Sequence, residues 1–313
     1  MKLNMKKERY QSVLKNKNFF NTMLKDHINN SSTGIQAIKD VGDADCLEAQ
    51  TAIMKSKDNE VVVISADTDV LILLIHGTDI SGCKIYLTSD SVTSGRSAPK
   101  VWDIHDIIVN LGDDVCRNIL IIHSFFGCDT VSRIYGFGKG TGLKKFINNE
   151  QFRSSLSSFS NEGVSQCDIA SAGEKALVML YGDNTSTTLD DLRYTVFCKK
   201  ISVNTKVVLP ELLPPTTDAA VFHSYRAYHQ VQAWMGVHLP AEDWGWESRG
   251  NYLLPKLMQK RPAPDTLMKL LRCNCKTGCA NNQCSCRTNN LKCTPICGNC
   301  KGVSCVNHQE SEE

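Results

Sequence analysis

Glu60 to Leu74, EVVVISADTDVLILL, is the stretch on which the reading of the fold turns. Val61 to Ile64 are apolar and β-branched without alternation, the pattern of a central strand covered on both faces. Asp67 and Asp69 then fall where such a strand delivers its C-terminal edge, which is where sites form in open α/β sheets. A lone Asp-Thr-Asp after a strand more often caps the helix that follows. Its meaning therefore depends on the acidic positions elsewhere in the chain.

The chain has 313 residues, 42% of them hydrophobic and 22% charged, with a net charge of +2. That length suits roughly two domains with a substantial core. The longest apolar run, near Val70 to Ile75, is well short of a membrane span. The start, MKLNMKKERYQS, has no apolar signal-peptide core, so secretion is not expected, nor are glycans at Asn30 or Asn184. Between Pro255 and His308 the charge is uneven. Lys256, Lys260, Arg261, Lys269, Arg272, Lys276, Arg287, Lys292 and Lys301 face only Asp265, a basic footprint suited to nucleic acid.

Along the chain, residues 5–26 read as a lysine-rich amphipathic surface helix, ended by NNSSTG. ADCLEAQTAIMKSK follows as a second helix, with Asp43 and Asp45 at its start. After the opening strand and its helix come a short strand at Lys84–Leu87, an apolar turn into helix at Val101–Val109, and a buried helix from Asp113 to Phe126. GFGKGTGLKKF, from Gly136, is a glycine-rich turn feeding a short basic helix, and two helices are expected near 169–182 and 188–200. Prolines between Leu209 and Pro215 mark a boundary, Thr217–Trp234 resumes as helix, and Trp244-Gly245-Trp246 lies in a turn-rich segment.

Three acidic groups recur at the expected mouth of the sheet: Asp43 with Asp45, Asp67 with Asp69, and Asp129. Carboxylates converging in one place repel unless cations neutralise them. Oxygen clusters of this kind suit Mg2+ or Mn2+, and two such ions clamp the attacking and leaving oxygens of a phosphodiester displacement.

The order DAD, SADTDV at a strand end, then GCDTVSRIYGFGKG resembles the acidic motifs and helix-turn-helix of the flap endonuclease group of PIN-like nucleases. Gly136 and Gly138 stand seven and nine residues after Asp129, as that pattern has them. The resemblance implies an α/β fold, a three-layer, mostly parallel sheet with helices. It implies divalent-metal ligands at Asp43, Asp45, Asp67, Asp69 and Asp129, holding two Mg2+ or Mn2+ ions. It also implies a helix-turn-helix near 129–148, with Gly136, Gly138, Lys139 and Gly140 against a DNA backbone. The family begins with a strand carrying a first aspartate and has another acid on the segment after it; neither has a counterpart in a suitable context before Asp43, so the chain reads as truncated or its nuclease centre as incomplete.

Nine of the fifteen cysteines lie at Cys273, Cys275, Cys279, Cys284, Cys286, Cys293, Cys297, Cys300 and Cys305. Without an export signal, metal-bound thiolates are the better reading than disulfides. Nine thiolates cannot fill three separate four-ligand sites, but about three zinc ions are served by six terminal and three bridging sulfurs. The spacing resembles the cysteine-rich CXC domain of tesmin-like chromatin proteins, with Gln283 in place of the usual tyrosine. By that resemblance Lys276 and Arg287 contact DNA phosphates. The other six cysteines read as small core residues.

The expected organisation is a basic helical segment over 1–39, a PIN-like nuclease-related domain over 40–205, a helical and turn-rich extension over 206–268, and a CXC zinc domain over 269–309. From Asp43 to the cysteines the chain also resembles uncharacterised invertebrate proteins associated with mobile elements. His223, Arg226 and His229, at helical spacing among aromatics, read as packing rather than a metal site, and Trp244 and Trp246 as a loop anchor. The functional expectation is a nuclear, DNA-binding protein with a candidate metal-dependent structure-specific nuclease centre and no membrane partner. The alternatives are a non-enzymatic DNA or chromatin adaptor and a zinc-stapled scaffold for protein partners.

Overall fold

The structure is a computed structural model describing residues 14–31, 34–39, 42–89, 100–182, 188–203, 212–250, 252–259, 273–289, 292–293 and 297–308. The start of the expected N-terminal helix, Leu209 and Pro210, Pro262 and Pro264, and the basic residues Lys260, Arg261, Lys269 and Arg272 lie outside the described residues. The protein is a mixed helix and strand chain that parts into two compact units, Met1–Cys116 and Arg117–Glu313. No described helix is long and apolar enough to cross a membrane.

In the first unit, α1 (Leu14–Asn29) precedes α2 (Ala44–Lys55), β1 (Val61–Ile64), α3 (Thr68–Gly77), β2 (Ile85–Thr88), β3 (Val101–Asp103) and α4 (Ile104–Leu111). The segment after α1 folds back along it: Lys39 Nζ donates to the Asn18 carbonyl at 3.1 Å and the Thr22 hydroxyl at 2.9 Å. Phe19, Met23 and Leu24 of α1 are exposed among the described residues, while Phe20 and Ile28 are half-buried. The helices α2 and α3 pack against one another, and Val70, Leu74 and Ile75 of α3 form core with Ala49 and Ala52 of α2.

The sheet differs from expectation in two ways. Its order is β1-β2-β3, with β1 parallel to β2 but β3 antiparallel to β2, so it is mixed rather than mostly parallel. Among the described residues β1 is an edge strand rather than a central one, and only one of its faces is buried. Val63 is buried at 6% exposure while Val62 and Ile64 are exposed at 62% and 61%. Register carries that open face across the sheet, since Val62 pairs with Tyr86, Ile64 with Thr88, and Thr88 with the exposed Val101. Period-2 side-chain geometry sorts even an all-apolar strand into one covered and one uncovered set when a single layer of helices lies beneath it.

The second unit takes most of α5 (Asp113–Phe125), then α6 (Lys139–Asn148), α7 (Glu150–Leu156), a 3-10 turn at Ser157–Ser160, α8 (Gln166–Leu180), α9 (Leu189–Val203) and α10 (Thr217–Trp234). A hairpin of β4 (Trp246–Arg249) and β5 (Tyr252–Pro255), absent from the sequence expectation, follows, and α11 (Ser285–Thr288) is a single turn. The core is a chain of rings: Phe125 meets Phe126, Phe159 and His223 edge to face, and Phe159 meets Tyr228. Such pairs add about 0.5–1.5 kcal/mol each beyond their buried area. His223 and His229 bond to the Phe125 and Leu239 carbonyls, and Trp244 is buried against Tyr225 and Tyr228. Packing thus accounts for the histidine stripe and for Trp244.

Candidate metal centres

The acidic centre of the first unit is built by one device used twice. Asp43 caps α2 by accepting the Asp45 N–H at 3.0 Å, and Asp67 caps α3 by accepting the Asp69 N–H at 2.9 Å. Capping accounts for one carboxylate oxygen of Asp43 and one of Asp67. It does not explain why the two helix starts converge. Asp45, Asp67 and Asp69 each bring a carboxylate oxygen within 4.8 Å of the others. Both helix N-termini face this cluster, and their partial positive charge offsets some of the repulsion.

The electrostatics record what repulsion remains. Partial burial, then Asp67, Asp43 and Asp69 in turn, raise the Asp45 carboxyl to about 6. Glu48, one turn along α2, is also raised, by burial and by Asp67. The sequence reading missed Glu48, although its i, i+3 spacing from Asp45 places the two on one helix face. Three oxygen donors at this separation, under like-charge pressure, fit a hard divalent cation, so the triad could hold one. Asp43 bears on Asp45 through its charge but is spent on its cap and on the Cys46 thiol at 3.6 Å, and it is not one of the three. Asp129 belongs to the second unit, exposed on a tight turn that Cys128 and Val131 close by exchanging backbone hydrogen bonds.

The glycine-rich turn divides into different roles. Gly136 has φ +83°, which a left-handed turn requires, and Gly138 caps α6 without a side-chain hydrogen bond. Lys139 turns inward, its Nζ donating to His123 Nε2 at 2.9 Å, rather than standing out in solvent as a phosphate contact would. Gly140 is exposed. Gly142 has a packing role: an added Cβ would lie 2.3 Å from the Phe126 ring.

The cysteine segment brings its sulfurs together. Cys273, Cys279, Cys284, Cys286, Cys293, Cys297, Cys300 and Cys305 form one buried cluster with Cys275 against it. The Sγ of Cys273 lies 3.6 Å from Cys279, 3.8 Å from Cys293 and 3.9 Å from Cys300; Cys284 to Cys293 is 3.8 Å and Cys286 to Cys297 is 3.6 Å. Disulfide sulfurs stand ~2.05 Å apart. Four thiolates set tetrahedrally at ~2.3 Å around a zinc-sized ion stand ~3.8 Å apart. The spacing fits metal ligation, and the cluster could hold metal ions.

Two four-sulfur groups can be drawn, Cys273-Cys279-Cys293-Cys300 and Cys273-Cys284-Cys286-Cys293. Cys273 and Cys293 belong to both, the position of sulfurs that serve two ions. Burial pushes the Cys273 thiol up to about 11 and those of Cys279, Cys286 and Cys293 further, so these thiols stay protonated unless a cation is bound. Amide donors point at two sulfurs: Cys273 N–H to Cys297 Sγ at 3.4 Å, and Asn307 Nδ2 to Cys293 Sγ at 3.5 Å. Asn307 is buried and was not singled out as a support to the cluster. Gly298 donates its N–H to the Cys273 carbonyl at 2.8 Å, and a Cβ there would fall 2.0 Å from Asn274 Oδ1. Lys276 and Arg287 are exposed on this segment. No family model matches the chain, and no curated protein or solved structure is significantly similar to it.

Proposed function

We propose that this protein is a nuclear, DNA-binding metalloprotein: a PIN-like, nuclease-related first part with a divalent-cation centre at Asp45, Asp67 and Asp69, and a C-terminal zinc-thiolate module that attaches it to DNA. The observation that carries the reading is the meeting of two capped Asp-x-Asp helix starts in one triad, with Asp45 raised to about 6. A bound Mg2+ or Mn2+ would polarise a phosphodiester oxygen. The chain's own groups have separate tasks. Asp67 and Asp69 are anchored by α3, Asp45 by α2, and Glu48 stands beside them with a carboxyl raised by burial and by Asp67. The start of α6 at Gly138, which has no side-chain cap, supports contact with a DNA backbone. In the cysteine module, zinc is favoured by the all-sulfur donor set and the ~3.8 Å spacing, with Cys273 and Cys293 as bridging ligands. The exposed Lys276 and Arg287 support phosphate contact.

The second reading, a DNA or chromatin adaptor without nuclease activity, is favoured by β1, directly before Asp67, which among the described residues lies at the sheet edge with Val62 and Ile64 exposed. Cleavage of flapped and single-stranded DNA in Mn2+ separates the two. The nuclease reading expects metal-dependent cleavage that falls by at least ~100-fold in Asp45→Asn, a variant that leaves both helix caps in place, and equally in Asp67→Ala. A folded, zinc-loaded protein that binds DNA and cleaves none of it overturns the nuclease and leaves the adaptor.

A further inference from the structure

The turn before α6 holds an aromatic ring out in solvent among basic side chains. Thr130 to Asn149 carries Arg133, Lys139, Lys144 and Lys145 and no Asp or Glu. Tyr135 is 59% exposed, whereas Ile134 before it is buried and Phe137 after it packs edge to face on Tyr181 at 4.9 Å. The main chain is tied on both sides of the ring. Tyr181 donates its hydroxyl to the Tyr135 carbonyl at 3.3 Å, and the Phe137 N–H donates to the Ile134 carbonyl at 3.2 Å across Gly136.

A surface tyrosine alone asks for no explanation. What sets Tyr135 apart is its company. Arg133 is exposed two residues before it, and α6 begins four residues after it without a side-chain cap. Gly140 and Lys144 stand exposed one turn apart on that helix. Asp129 and Glu150 are the acids that bound the run on either side. Because the backbone is already tied, the ring needs little further ordering when it meets a partner.

Each feature narrows that partner. A basic run without acids attracts a polyanion. Bases inside a duplex stack on one another, so a tyrosine outside it has no base face to meet, whereas an unpaired base offers one. An acidic peptide would satisfy the charges and leave the ring without a planar partner. We propose that Tyr135 is a stacking platform for an unpaired base of single-stranded DNA, with Arg133 and Lys144 on the flanking phosphates. This deepens the DNA-binding reading above and rests on it, but it needs neither metal centre.

Fluorescence anisotropy on the zinc-loaded full chain, without added Mg2+ or Mn2+, tests this with three labelled probes of equal length: oligothymidylate, an abasic strand and a duplex. Tyr135→Ala is expected to weaken oligothymidylate about tenfold and to leave the abasic strand and the duplex within about twofold. Tyr135→Phe, which keeps the ring, is expected to match the wild type. Arg133→Gln is expected to weaken oligothymidylate and the abasic strand alike and to lower the salt dependence of both. Far-UV circular dichroism matching the wild type confirms that each variant is folded. Oligothymidylate binding unchanged in Tyr135→Ala, or an equal loss on the abasic strand, overturns the platform while the DNA-binding reading stands. A loss in Tyr135→Phe as large as in Tyr135→Ala assigns the contact to the hydroxyl and overturns stacking. A folded chain that binds none of the three probes overturns the DNA-binding reading itself, and the platform with it.

Discussion

At the scale of single residues, the titratable groups divide by what surrounds them. Asp45 and Glu48 are raised by partial burial first and then by the carboxylates around them, a pressure that a cation would relieve. His223 is lowered to about 4 by burial too, which disfavours a charged imidazole as it disfavours a charged carboxylate, with Arg226 adding to the effect. The sign of its pH dependence follows. A histidine whose folded value lies below its unfolded value near 6.5 contributes stability above about pH 6.5, lost as pH falls toward 4. Acid unfolding of the second unit is therefore expected to consume on the order of 3 kcal/mol over that interval. Urea unfolding at stepped pH, monitored by tryptophan fluorescence, measures it, and His223→Gln should flatten the slope. An unchanged slope would place the acid sensitivity elsewhere. The Asp-x-Asp pairs were legible in the sequence as acids at helix starts. Glu48 was not, because only the packing of α2 on α3 brings it within reach of Asp67.

Among the elements, helices were the more readable. Thr217–Trp234 was expected and found with those ends, because Thr216 caps it and its apolar stripe runs the full length. β1 was placed correctly but given the wrong surroundings. Four apolar β-branched residues carry no alternation, so composition alone could not say which face is bare. The consequence is measurable. Val62→Thr and Ile64→Thr should each cost under about 0.5 kcal/mol, whereas Leu87→Ala, at a 2% exposed position on the covered face of β2, should cost about 2–5 kcal/mol. Equilibrium urea denaturation of the three variants decides this. A cost near 2 kcal/mol at Val62 or Ile64 would mean that this face is covered in solution. The hairpin β4–β5 escaped the sequence reading because Trp246 to Pro255 contains no strong apolar alternation, and its pairing rests on backbone hydrogen bonds.

For the whole molecule, the cysteine segment has the plainest dependence on an outside component. Outside its thiols its described residues offer few large buried side chains, so ligation rather than an apolar core is expected to hold its fold. Native mass spectrometry is expected to find about three zinc ions per chain, and a strong chelator should open residues 273–308 to protease while the helices of the rest persist in circular dichroism. Persistence of a protease-resistant segment after full metal removal would contradict this. The sequence by itself determined the parts whose information is local: the helix starts at Asp43 and Asp67, the strand between them, the long helix ending at Trp234, and the nine-cysteine spacing. Caps, periodicity and ligand spacing are set by residues a few positions apart. Only the tertiary structure decided that Asp45, Asp67 and Asp69 meet while Asp43 stays on its cap, that Lys139 turns in to His123, that Cys273 and Cys293 each sit in two sulfur groups, and that β1 lies at an edge with one face bare. These depend on which surfaces pack together, and packing joins residues that the sequence keeps far apart.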